Sequence, residues 1–306
     1  MKLFIGQTDF DWYSELRDQN FDEVNFWRPG MSPFRALQPN DLFLFKLKKP
    51  FYAIVGGGFF VSYSLVPLDL AWQAFGRKNG TKTQGEFVSR ITKYREKNHI
   101  ESALPSVGCI ILTQPFFFHE DSWIKQPADW PINAVGGAGY NTNDSTEARR
   151  IYQQVSERLS QVHFNLASNP NTEARYSESI TKHRLGQGAF RIVVTDMYQR
   201  RCAISGEKTL PVLEAAHVKP FSMNGENAPE NGVLLRSDIH TLFDAGYLTI
   251  TDKHVVEVSH RLNQDFGNGK DYYRFHGQTL TVEPNRTLLL PSKENLNWHN
   301  EHIYLG

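Results

Sequence analysis

Residues 201–250 read RCAISGEKTLPVLEAAHVKPFSMNGENAPENGVLLRSDIHTLFDAGYLTI. His217, Asn231 and His240 follow one another inside this stretch, in the words EAAHVKP and NGVLLRSDIHTLFDAG, with RLGQGAFRIVVTDMYQRRCAISG leading into it. Imidazole titrates near neutral pH and also binds metals. Two histidines in one stretch with the carboxylates of Glu214 and Asp244 therefore make this the region best supplied for chemistry. The surroundings are basic: between residues 181 and 220, Lys182, Arg184, Arg191, Arg200, Arg201, Lys208 and Lys219 stand against three acids. Such a strip suits a phosphate backbone and equally a solvated face.

These words resemble the HNH nuclease signature, in the branch found in many bacterial restriction endonucleases. The resemblance implies a ββα-metal fold, with His217 on a strand, Asn231 on a loop and His240 on a helix around one divalent ion, Mg, Mn or Ni. It implies His217 as general base for in-line attack of water on a phosphodiester, a role a neutral imidazole can fill. Asn231 would hold the loop backbone and the imidazole in place, and His240 would be a metal ligand, the ion stabilising charge on the phosphate and leaving oxygen. If a helix continues from His240, Asp244 falls at i+4 on the same face and can complete the metal platform. Many members carry Asp or His directly before the base histidine, but here Ala216 stands there. Glu214, two positions earlier on the same strand face, is the alternative ligand, and the choice between it and Asp244 stays open. Some relatives hold a structural zinc through paired cysteine motifs. In this chain Cys202 is followed by Ser205, and Arg236 and Ile239 fill the later slots, so no structural zinc is expected. Arg236 is either a phosphate clamp or the structural partner of Asp238 at a helix start.

Outward toward the N-terminus, residues 41–66, DLFLFKLKKPFYAIVGGGFFVSYSLV, predict two or three short strands punctuated by Pro50 and Gly56-Gly57-Gly58. No Lys-Ser/Thr follows these glycines, which therefore suggest a bulge or a close backbone approach rather than a phosphate loop. Helical spacing covers 70–79 and 86–97, the latter through Phe87, Ile91 and Tyr94, and GCIILTQPFFF at 108–118 is a buried strand pattern. The turn-rich loop 135–146 marks a domain boundary. After it Ile151, Val155, Leu159 and Val162 form the stripe of a connecting helix, capped by Ser145. The polar interval 165–179 reads as a linker, and the tail 291–303 as a short helix capped by Ser292.

The words VNFWRPGMSPFRALQPNDLFLFKL and FYAIVGGGFF resemble the opening of EVE-type domains of the PUA-like superfamily, with Asn40-Asp41 where that family commonly has Gly-Asp. This likeness covers residues 1–125, and the whole arrangement is similar to EVE–HNH modification-dependent restriction endonucleases. It implies a domain that takes a modified cytosine out of the duplex, stacks it on an aromatic ring and reads its polar edge. Trp27, Trp72, Phe26 and Tyr63 are candidate platforms, and Asn25, Ser32 and Asp69 candidate edge readers. With 21 Phe, 12 Tyr and 6 Trp in the chain, any one ring can equally belong to the core. Residues 76–97 carry Arg77, Lys78, Lys82, Arg90, Lys93, Arg95 and Lys97 against Glu86 and Glu96. This segment suits DNA backbone contact as well as a solvated helix face.

At 306 residues and 35.1 kDa the chain has room for two domains. Lys+Arg 33 balances Asp+Glu 33 and 40% of residues are hydrophobic, which excludes a disordered chain and a protein that coats nucleic acid by net charge. Cys109 and Cys202 supply no disulfide framework, and MKLFIGQTDFDW turns polar too early for a signal peptide. No run of 18 apolar residues suggests a membrane span, so a bacterial cytoplasmic protein is expected. The expected architecture is α+β: a PUA-like (EVE-type) β-barrel domain with helices over 1–140, a helical linker over 141–184 and an HNH ββα-metal nuclease domain over 185–306. The expected activity is modification-dependent DNA cleavage near 5-hydroxymethylcytosine or 5-methylcytosine for phage defence, with arginines and lysines such as Arg77, Lys78, Arg191, Arg201, Lys219 and Arg236 on the backbone. Cutting both strands of double-stranded DNA suggests a homodimer. Two alternatives remain: an HNH endonuclease indifferent to modification, and a non-catalytic nucleic-acid-binding protein.

Overall fold

The computed structural model describes residues 1–100, 105–167, 185–284 and 290–306, with the backbone alone for 160–167. The chain divides into two compact units, Met1–Arg184 and Leu185–Gly306. The interval read as a linker from Ser168 onward lies outside the described residues, as do Lys182 and Arg184.

The first unit is built on strands β1 (Lys2–Thr8), β2 (Glu23–Arg28), β3 (Leu42–Leu47), β4 (Ala53–Pro67), β5 (Ser106–Phe117), β6 (Ile124–Lys125) and β7 (Gly137–Asn141). They form one sheet in the order β2-β5-β4-β3-β1-β7, with β6 paired to β4. β1 and β3 run parallel and the other pairs antiparallel. Among the described residues no β2–β7 pairing closes the sheet into a barrel. All six residues of β3 are buried because the sheet is covered on both faces. Phe43, Phe45 and Leu47 enter one core with Trp12, Leu16, Phe26 and Leu112, while Leu42 and Leu44 enter the other with Leu3, Ile5 and Ile54. Ladder irregularities fall at Gly57/Phe59 and Phe60/Ser62 on β4, and a Cβ on Gly56 would overlap the Phe116 carbonyl oxygen.

Two features differ from the sequence expectation. The stretch 135–146 holds β7, which adds an edge strand to β1. The helix Thr146–Ala167, whose residue Ala148 donates its N–H to Ser145 Oγ, does not stand apart as a connector. Its Ala148, Ile151 and Val155 are buried against Leu3, Ile5 and Leu44, so its apolar stripe is spent on the first unit's sheet. The helices Leu68–Phe75 and Gln84–Lys97 are present, the second capped by Thr83 Oγ1, which accepts from the Glu86 N–H at 3.2 Å.

The second unit joins the helix Gln187–Met197, a hairpin of β8 (Leu213–His217) and β9 (Gly232–Arg236), the helix Ser237–Asp244, a hairpin of β10 (Leu248–Ile250) and β11 (Val256–Val258), and the terminal helix Lys293–His302. Phe190, Val194, Leu234, Ile239, Phe243, Leu248 and Leu296 share its core. Ser292 Oγ caps the last helix, and His299 on that helix is 1% exposed. The His299 ring stacks on Phe243 at 3.9 Å, with its nitrogens bonded to Thr249 Oγ1 and the Phe243 carbonyl. Burial outweighs the opposing effects of the Phe243 carbonyl and the Asp244 charge and pushes its pKa down to about 4. Because the unfolded chain takes up this proton near pH 6.5 and the folded chain does not until about pH 4, stability is full above 6.5 and falls between the two values. We expect this group to remove about 3 kcal/mol from the folded state across that window. Denaturant titrations from pH 7 to pH 4 on the native chain and on His299→Gln will show it as a pH slope that is shallower in the variant.

Candidate functional site

The β8–β9 hairpin pairs Leu213 with Arg236 and His217 with Gly232, and the helix Ser237–Asp244 starts at the next residue. A strand thus carries His217, the connecting loop ends on Asn231, and the helix carries His240. Asn231 is 1% exposed, and its amide works in both directions. Its Oδ1 accepts from the Lys219 N–H at 2.8 Å, while its Nδ2 donates to the carbonyls of Lys219 and Glu226, both at 2.9 Å. One side chain therefore ties the two ends of the loop that follows His217.

The His217 ring lies flat on Phe190, with centroids 4.1 Å apart and planes 9° apart. A Cβ on Gly232 would collide with Val194 and crowd the same Phe190 ring, so glycine opposite His217 is what lets this wall close. His217 Nε2 meets Asn227 Oδ1 at 2.8 Å. An amide oxygen only accepts, so Nε2 carries the hydrogen and Nδ1 keeps the lone pair. Burial is the largest influence on this ring and lowers its pKa; the positive field of His240 adds to that, while Asn227 and Asp244 act the other way. The result is an imidazole held neutral and ready to accept a proton.

His240 sits between two carboxylates, Nδ1 at 2.6 Å from Glu214 Oε2 and Nε2 at 3.2 Å from Asp244 Oδ2. Burial works against its charged form, and the bonds to Asp244 and Glu214 outweigh burial, so its pKa is raised. Among the described residues no group of three or more His, Cys, Asp or Glu side chains is placed to hold a metal ion. These three pair with one another instead. One imidazole and two carboxylates are nevertheless a hard-to-borderline donor set suited to Mg, Mn or Ni.

The basic candidates differ in their surroundings. Arg191 lies within the field of Glu214, and burial lowers its pKa. Lys219 places its ammonium 5.4 Å from the centre of the Trp298 ring. Arg201 Nε approaches the Gly206 carbonyl at 3.5 Å. Arg236 is engaged by both ends of its fork on Asp238, at 2.6 and 2.7 Å, and Tyr272 donates to the same carboxylate. Cys202 is buried, and its sulfur accepts from the N–H groups of Ser205 and Arg236.

In the first unit a cavity of about 270 Å³ is walled by Trp12, Phe26, Trp27 and Tyr94, with Gln7, Asp9, Arg28, Ser32 and Lys48 among its polar groups. Trp27 Nε1 donates to the Asn79 carbonyl, and Lys48 Nζ donates to Tyr94 Oη at 2.9 Å while lying over that ring. Phe26, Trp27 and Ser32 are brought together here. Asn25 and Trp72 are not: Asn25 is fully buried behind the wall, donating to Asn79 Oδ1 and Cys109 Sγ, and Trp72 packs toward Phe87. Neither Asp69 nor Tyr63 lines the cavity: Asp69 accepts from Gln84, and Tyr63 donates to the carbonyl of the lining residue Ser32. Of the backbone-contact candidates in this unit, Arg77 is paired with Glu15 at 2.6 Å and Lys78 with Asp22 and Glu23 at 2.6 and 2.9 Å.

Residues 202–251 match the family described as HNH endonuclease. The second unit carries an HNH endonuclease domain. No curated protein matches the chain in sequence. Among solved structures the chain is similar to ASCH from Zymomonas mobilis, with 12% identity over 49% of this chain and 94% of that one at a TM-score of 0.33. It is similar to a point variant of the same protein, with 11% identity over 50% and 98% at a TM-score of 0.35. It is also similar to the modification-dependent TagI restriction endonuclease, with 13% identity over 97% and 81% at a TM-score of 0.29.

Around the HNH triplet the structure adds two residues that sequence reasoning missed, Asn227 and Phe190. A second asparagine in the loop NGENAPEN was the visible signal for the first; nothing local marks the second, which comes from a helix far upstream. Asn231→Ala removes three hydrogen bonds at a buried position and is expected to destabilise the HNH domain by about 2–4 kcal/mol. Asn227→Ala removes one and is expected to cost about 1 kcal/mol. Urea titrations of the two variants check the order.

Proposed function

We propose that this chain is a metal-dependent DNA endonuclease that cuts near 5-hydroxymethylcytosine or 5-methylcytosine, serving restriction of phage DNA in a bacterial cytoplasm. The observation that carries the nuclease reading is the ββα placement of His217, Asn231 and His240 inside a matched HNH domain. His217 Nδ1 accepts a proton from water, Nε2–H stays on Asn227, and Phe190 fixes the ring plane while the water oxygen attacks phosphorus in line with the leaving oxygen. His240 with Glu214 and Asp244 would hold a divalent ion once their mutual pairs give way, and such an ion supplies Lewis-acid stabilisation of the phosphate and leaving oxygen. Arg191 and Lys219 are suited to the DNA backbone beside this centre. One centre addresses one phosphate, so cutting both strands takes a homodimer or two successive nicks.

The modification-dependent half rests on the first unit. Its cavity lies just below the roughly 300–1,000 Å³ usual for small-ligand pockets, which is room for one flat heterocycle. Trp27, Phe26 and Tyr94 offer stacking faces, and Asp9, Ser32 and Lys48 polar contacts to a base edge. This supports a PUA-like reader that receives a flipped base.

Matched duplexes carrying cytosine, 5-methylcytosine or 5-hydroxymethylcytosine, incubated with Mg or Mn, test both halves. Cleavage confined to modified DNA and abolished by chelation is expected, with His217→Ala slowing it by about 10²–10⁴-fold. Equal cleavage of all three keeps the nuclease and discards the reader, whereas no effect of His217→Ala on any nucleic-acid assay leaves only a binding protein. Because burial lowers the His217 pKa, the acid limb of the cleavage profile at saturating metal is expected below the usual imidazole value near 6.5. Calorimetric titration of Mn into Glu214→Ala and Asp244→Ala is expected to show weakened binding in each. Wild-type affinity in both would remove the assigned ligand set.

A further inference from the structure

Two loops that line the first unit's cavity each carry an exposed apolar side chain. One supplies Pro29, Gly30 and Ser32 to the wall and holds Met31, 47% exposed; the other supplies Val135 and Gly136 and holds Ile132, 100% exposed. Val135 itself is 68% exposed. Single exposed apolar residues are ordinary, but three on two loops of one cavity are a grouping.

Ile132 is not on a loose loop. It occupies the turn Pro131–Ala134, closed by the Ala134 N–H on the Pro131 carbonyl at 3.0 Å. Gln7, on β1, anchors the far side by donating its side chain to the Ala134 carbonyl and its backbone N–H to the Gly136 carbonyl at 3.1 Å. On the near side Trp130 lies under Lys46, whose ammonium is 4.5 Å from the ring centre, and Asp129 accepts from Tyr140. The tip is thus a stiff, β-branched apolar residue held in water by a braced turn.

Extruding a base leaves a gap in the stack, and apolar side chains are the groups that fill an opened base step. The charge around the cavity fits the same partner: Arg28 and Lys48 line it, and Lys93 and Lys97 are exposed in the last turns of the helix Gln84–Lys97, whose Tyr94 also lines it. We propose that Ile132, supported by Met31, is a wedge that enters the duplex DNA stack beside the base received by the cavity. This inference rests on the base-flipping reading of the first unit.

The test uses the full-length His217→Ala chain, which separates binding from cutting, and a duplex with one 5-hydroxymethylcytosine next to the fluorescent base 2-aminopurine. Binding is expected to raise the fluorescence as the neighbour unstacks. Ile132→Ser is expected to lose most of that rise and to weaken duplex binding by about tenfold, with Ile132→Leu retaining both. Affinity for the same modified base in a single strand, where no stack is opened, is expected to be unchanged. Wild-type fluorescence and duplex affinity in Ile132→Ser would overturn the wedge and leave the reader intact. Equal loss on single-stranded DNA would assign Ile132 to general contact and overturn it too. A parent protein that binds modified and unmodified duplexes alike would overturn the reader and the wedge together.

Discussion

The amide of Asn231 is the constraint on which the second unit's site depends. A loop that leaves a strand after His217 and returns to its partner at Gly232 has many conformations open to it, and the one it adopts brings Asn227 onto the His217 ring. Asn231, at the end of the loop, holds that one by satisfying the backbone of Lys219 near its start and of Glu226 within it, from inside, where an unpaired amide is strongly disfavoured. The hairpin register then follows, and with it the start of the helix that carries His240.

The two histidines acquire opposite characters from surroundings only a few residues apart in the fold. His217 faces a phenyl ring and a neutral amide, so burial wins and the ring stays a base. His240 faces two carboxylates, so pairing wins and the ring is drawn toward its charged form. A carboxylate on each side of an imidazole, with all three near the surface of an HNH domain, is a set of donors that compensates its own charge.

In the first unit the sheet is covered on both faces, and this decides more than the core. Alternate residues of β3 are divided between two cores, so the helix Thr146–Ala167 finds its apolar stripe a place on the sheet. The same compaction brings acids from the N-terminal segment onto the basic segment 76–97. Arg77 meets Glu15, Lys78 meets Asp22 and Glu23, and Arg90 meets Asp9, Asp11 and Glu86. Three of the seven cations of that segment are therefore engaged by acids within the unit, while Lys82, Lys93 and Lys97 stay exposed.

Residue identity and order alone determined the HNH triplet, the helix caps at Ser145 and Ser292, and the strand character of LFLFKL. These are local matters: capping, periodicity and motif spacing act over a few residues, and each leaves its mark in adjacent letters. Tertiary structure decided the rest. It buried Asn25 behind the cavity wall rather than in it, set Phe190 beneath His217, brought Asn227 onto the His217 ring nitrogen, and paired both Glu214 and Asp244 with His240. It also turned the glycine-rich stretch before Thr146 into an edge strand. Each of these outcomes depends on a partner distant in sequence, and a side chain's burial, charge state and orientation are set by what is packed against it rather than by its neighbours along the chain.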